Sequence, residues 1–141
     1  MIFEVFIKVF IARFINNKQL LSSMKISTPQ EIEAFHIIPA IRREIATKLR
    51  EKGHTQRVIA KKLGLTEAAV SYYLKGKRGT EVKFDEDSIK QIAKASERLD
   101  KGSKFIKEVI LLCNFLRKSK KFCKLSHQLG YAPKNCCACY K

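Results

Sequence analysis

Residues 55–76, TQRVIAKKLGLTEAAVSYYLKG, constrain this chain more than any other stretch. They hold two short apolar-periodic segments, 56–63 and 67–74. Each is preceded by a threonine (Thr55, Thr66) that can cap a helix N-terminus, and each is followed closely by a glycine (Gly64, Gly76) that can end one. Helices of this length are not stable alone in water, so they must be held by burial against each other and against a body. Ala60 supplies the small side chain that a close approach needs, and Gly64 supplies the positive φ that a tight turn needs. Ile59, Leu63, Leu65, Val70 and Tyr73 form the inward face. The stretch predicts two short helices across a tight turn within an all-α domain.

The flanking sequence agrees. Thr28-Pro29-Gln30-Glu31 reads as a capped start with a T-x-x-E box and proline at the first helical position. Ile38-Pro39 should end that first helix, because helical geometry is disfavoured before proline. A second helix then runs from Pro39 to about Lys52, with Ile38, Ile41, Ile45 and Leu49 along one face. After a link over 79–84, Asp87 or Ser88 is the expected cap of a helix carrying Ile89, Ile92, Ala93 and Leu99, and Gly102 breaks it. The segment from Lys104 to about Arg117 is the most apolar. Phe105, Val109, Leu112 and Leu116 form its stripe, and Ile106, Ile110 and Cys113 widen it. Six glycines and three prolines in 141 residues argue against a loop-rich β fold.

The run IPAIRREIATKLREKGHTQRVIAKKLGLTEAAVSYYLKGKRG, residues 38–79, resembles the helix-turn-helix of the Cro/repressor-like superfamily of transcriptional regulators, and is similar to archaeal predicted regulators. The resemblance covers under a third of the chain. It implies double-stranded DNA as partner, with the second helix in the major groove. On that basis Glu67, Ala68, Ser71 and Tyr72 face base edges. Gln56 and Thr66, with Arg57 beside them, meet phosphates at helix N-termini, and Lys75, Lys77 and Arg78 form a basic exit along the backbone. The expected layout is an N-terminal extension over 1–27, the helix-turn-helix domain over 28–84, a helical hairpin suited to homodimerisation over 85–118, and a basic cysteine-rich tail over 119–141.

Charge supports the same direction without choosing it. Lys and Arg exceed Asp and Glu by 16, a balance suited to nucleic acid or an anionic membrane surface. The opening MIFEVFIKVFIARFI is interrupted by Glu4, Lys8 and Arg13 and is too short to span a bilayer of about 20 helical residues. It reads as a helix packed on the body or on a partner, not as an export signal, so a cytoplasmic location and no membrane partner are expected. Met24, just ahead of the first capped helix, is an alternative start, and a chain beginning there loses only two net charges.

All five cysteines fall within the last 29 residues. Cys123-x3-His127 and Cys136-x2-Cys139 together make a Cys3His set of zinc type, with Cys113 and Cys137 as alternates. An all-cysteine selection suits an iron–sulfur cluster, and reduced thiols without metal fit equally well. A ribbon of two close cysteine pairs is not present, since Leu116 stands three residues after Cys113.

No catalytic carboxylate set is evident, and the acids outside the motif are expected on helix surfaces. His36 and His54 read as surface or helix-end residues. A sequence-specific, non-enzymatic DNA-binding regulator leads. An accessory module of a recombinase or transposase, and a non-specific nucleic-acid binder, are the alternatives.

Overall fold

The computed structural model describes residues 28–132. The 1–27 extension, with its alternative start, lies outside them, as do Cys136, Cys137 and Cys139. Helices are the regular elements of the described residues, with no strand among them. In order they form α1 (Pro29–Ile32), a π-helical turn (Glu33–Ile37), α2 (Ile38–Glu51), α3 (Gln56–Leu63), α4 (Glu67–Leu74), α5 (Glu86–Asp100), α6 (Phe105–Lys118) and α7 (Lys121–Gln128).

The predicted capping box is present: Thr28 Oγ1 accepts from Glu31 N, and Glu31 Oε2 accepts from Thr28 N at 3.1 Å. The break expected at Ile38-Pro39 does not occur. The chain stays helical through it, with Ile38 at φ −62° and ψ −43°. A proline inside an α-helix clashes with the carbonyl four residues back and leaves that carbonyl unbonded. Here the turn widens instead, and Ile38 N–H donates to Glu33 O, five residues back. The π turn absorbs Pro39 without ending the helix.

α2 is the central element, packing against α3, α4 and α5, while α5 continues onto α6 and α6 onto α7. Its Ile41, Ile45, Ala46 and Leu49 are fully buried, with Ile59, Leu63, Val70, Ile92 and Leu99 around them. One apolar cluster runs from Ile32 to Leu125, so the core is continuous across residues 84 and 85. Apolar burial of about 25 cal/mol per Å2 makes this shared core the main source of cohesion.

Several side chains lie elsewhere than their sequence context suggests. Asp85, not Asp87 or Ser88, caps α5, accepting from Ser88 N at 3.0 Å. Asp85 also pairs with Lys121. That hydrogen bond, followed by the one from Ser88, holds the Asp85 carboxyl down to about 2. On α6, Val109, Leu112, Cys113 and Leu116 are buried as expected, whereas Ile106 and Ile110 do not widen the buried stripe: they are 65% and 52% exposed. Within the stretch read as a basic cysteine-rich tail, residues 121–128 form a helix that packs on the body, because Phe122 and Leu125 join the core. Glu33 and Glu108 are buried, contrary to the expectation that acids outside the motif lie on helix surfaces. Glu33 accepts from Arg117 Nη2 at 2.5 Å. Glu108 accepts from Arg98 Nε at 2.9 Å and from the Ser103 hydroxyl at 2.6 Å.

Candidate nucleic-acid interface

α3 and α4 pack on each other across the three residues 64–66. Thr55 Oγ1 accepts from Val58 N at 3.3 Å and Thr66 Oγ1 from Ala69 N at 3.1 Å, so both threonines cap as their positions predict. Gly64 ends α3 in the left-handed region at φ 64° and ψ 37°. Ala60 is buried, and Ile59, Leu63, Val70 and Tyr73 are buried below the turn. Leu65 is half-buried against the same cluster.

This packing leaves one face of α4 open. Glu67, Ala68 and Tyr72 are exposed and Ser71 is half-buried, so four residues over two turns present side chains outward from a helix fixed on its other side. Thr66 and Arg57 are exposed and Gln56 is half-buried, placing them at the starts of α4 and α3. The amides of the first turn of α4 carry the positive end of that helix.

Lys75, Lys77 and Arg78 are exposed just beyond α4. Lys77 N donates to Tyr72 O at 2.9 Å, folding the chain back over the helix end. Lys77 Nζ then lies 5.8 Å from the Tyr72 ring centre, and the Arg78 guanidinium 5.6 Å from that of Tyr73. These contacts hold the basic exit beside the open face of α4. Sequence reasoning identified the cations but not the tyrosine rings that carry them.

None of Arg57, Lys75, Lys77 and Arg78 is paired with a carboxylate among the described residues. Lys62 differs, although it is also on α3. It is turned toward the end of α5, 3.4 Å from Asp100 Oδ1, where His54 Nε2 also meets Asp100 at 2.8 Å. His54 is therefore a helix-end neighbour, as expected. Lys61 is exposed four residues after Arg57, on the same side of α3, and likewise has no carboxylate partner among the described residues.

Of the proposed metal ligands, Cys123 and His127 lie one turn apart on α7, and both are half-buried. His127 Nδ1 meets Ala132 O at 2.9 Å, so of the two ring nitrogens only Nε2 is left for any further contact of the ring. No cluster of three or more His, Cys, Asp or Glu side chains suited to a metal occurs among the described residues. Cys113 is buried on α6. Burial first, and then the nearby Glu33 carboxylate, push its thiol up to about 11. Cys113 is therefore expected to react with iodoacetamide at pH 8 far more slowly than Cys123, as peptide mapping after timed alkylation would read; equal rates would refute it.

No helix among the described residues is long and apolar enough to cross a membrane. The chain matches no protein-family model, no curated protein and no solved structure.

Proposed function

We propose that α3 and α4 form a helix-turn-helix and that the protein is a sequence-specific DNA-binding transcriptional regulator, with α4 as its major-groove reading helix. One observation carries the reading. A capped, buried-backed helix presents Glu67, Ala68, Ser71 and Tyr72 outward, and its exit carries cations that no carboxylate among the described residues pairs with. Side chains on such a face can meet base edges, and flanking Lys and Arg can hold phosphates.

The two groups of residues should behave differently. Ser71→Ala and Tyr72→Ala are expected to change which sequences are preferred, by about 1–3 kcal/mol at the bases read. Lys77→Ala is expected to weaken all duplexes alike and to lower the salt slope by about one. Selection of bound fragments from random DNA, followed by titration at several salt concentrations, separates these effects. Uniform losses for all three variants would leave only a non-specific nucleic-acid binder.

The protein is taken to act as a homodimer, with the exposed Ile106, Ile110 and Leu111 face of α6 meeting its counterpart. Sedimentation of Ile110→Asp against the unaltered chain tests this, and an unchanged mass would remove it. Cys123 and the Nε2 of His127 suit zinc, with Cys136 and Cys139 completing the set. Metal analysis of the full chain, with the absorbance spectrum, separates zinc from an iron–sulfur cluster or bare thiols.

A further inference from the structure

His36 was expected as a surface or helix-end residue; it lies in the last turn of the π-helix, yet it is only 8% exposed and joins three distant parts of the chain. Its Nδ1 meets the Glu81 carboxylate, and the Tyr131 hydroxyl lies 3.1 Å from its Nε2. The two rings are 5.2 Å apart and tilted by 41°. A neutral imidazole protonated at Nδ1 satisfies both contacts: Nδ1–H donates to Glu81, and Nε2 accepts from the tyrosine. The π turn, which ends two residues ahead of Pro39, contains both His36 and Glu33, and both are buried.

Glu81 belongs to the link between α4 and α5, and that link is pinned on both sides of it. Two residues earlier, Gly79 lies against the Pro39 carbonyl, where an added Cβ would fall 2.5 Å from the oxygen. One residue later, Val82 is buried in the core. Lys77 and Arg78 therefore lie between two fixed ends, the Tyr72–Tyr73 end of α4 and the stretch 79–82. Holding long cations in one place before binding lowers the ordering cost of each phosphate contact. Glu81 is itself 58% exposed on its side chain, and its carboxylate turns onto the His36 ring.

We propose that His36, Glu81 and Tyr131 are positioning residues for Lys77 and Arg78, fixing the link after α4 and tying the C-terminal stretch to the phosphate-holding exit. The proposal rests on the DNA-binding reading above. It makes residues far from α4 in sequence part of the interface's geometry, without contact to DNA.

Hydrogen exchange and duplex binding on the full chain test it together. The variants are Tyr131→Phe, which removes one hydroxyl, His36→Phe, which removes both contacts, and Glu81→Gln, which still accepts from Nδ1–H. Tyr131→Phe and His36→Phe should speed exchange over 77–82 while leaving α2 and α5 unchanged. They should also weaken a random-sequence duplex about 3- to 10-fold, the loss expected for about 0.7–1.4 kcal/mol of hydrogen bonding, and flatten its salt slope. Glu81→Gln should keep both properties closer to the unaltered chain.

Unchanged exchange over 77–82 in both phenylalanine variants overturns the proposal. Faster exchange throughout the fold also overturns it, because the role is then structural. Faster local exchange with unaltered duplex affinity does so as well. If the unaltered chain binds no duplex at all, the DNA reading fails instead, and exchange alone judges whether the junction holds the link.

Discussion

Gly79→Ala is expected to be among the most damaging single-methyl changes in this protein. Gly79 has φ 74°, a region that costs an ordinary residue about 1–2 kcal/mol. The added Cβ would also lie 2.5 Å from Pro39 O, 2.9 Å from Pro39 C and 3.2 Å from Ala40 Cα. All three are backbone atoms of α2, the helix at the centre of the core, so no side chain can swing aside. Either the 79–82 link lifts off α2 or the start of α2 moves. Together these effects amount to at least about 3 kcal/mol, or roughly 10 °C in melting temperature for a domain of this size. Gly64→Ala is the control. Its φ is 64°, but nothing lies within 4 Å of the added carbon, so about 1 kcal/mol of backbone strain is all that should appear. Thermal and urea unfolding of the two variants should therefore differ by about 2 kcal/mol or more. Near-equal losses would show that the link yields freely and that its packing on Pro39 contributes little.

The contrast between the two glycines bears on what the sequence can and cannot reveal. Gly64 was legible because its role is local: it stands a fixed distance after Ala60, between an apolar-periodic segment and a capping threonine, and the turn itself demands its conformation. The same holds for Thr28, Thr55 and Thr66, whose caps act within three residues. Gly79 reads from sequence only as the end of a basic exit, since its constraint comes from Pro39, forty residues earlier. His36, Glu33 and Glu108 were misjudged for the same reason. A buried charged or polar residue is made tolerable by partners such as Arg117, Arg98 or Tyr131, and no local pattern reports where those partners will lie. Ile106 and Ile110 illustrate the converse. An apolar stripe wider than the groove that receives it leaves its flank in solvent, and periodicity does not measure the groove. The candidate interface was more legible than the core's polar contacts because the residues of α4 and its exit are contiguous.

Arg98→Met is expected to have the second large effect, through the carboxylate it leaves behind. Glu108 is fully buried, and Arg98 and Ser103 supply its hydrogen bonds. Burial alone would raise the Glu108 pKa, but hydrogen bonds from Arg98 and then Ser103, with the Arg98 charge, lower it below the ordinary 4.5. Removing Arg98 leaves desolvation opposed only by Ser103 and more distant charge. Loss of one partner of a buried pair costs about 3–5 kcal/mol; because the Arg98 side chain is 44% exposed and partly screened, about 3 kcal/mol is expected here. The pair also sets an acid dependence. Since the folded pKa of Glu108 is depressed, its contribution is fully present above about 4.5 and is lost as pH falls through the folded value. The melting temperature of the unaltered chain should thus fall below that pH more steeply than that of Glu108→Gln. Asp85, held near 2 by Lys121 and Ser88, should preserve a residual acid dependence in both proteins. In Arg98→Met the carboxyl pKa should rise, moving the loss to higher pH. Combining Arg98→Met with Glu108→Gln removes the unpaired charge, so the double variant should be more stable than Arg98→Met alone. A double-mutant cycle from melting curves at pH 7 measures this coupling, and strictly additive losses would show that the two side chains do not support each other.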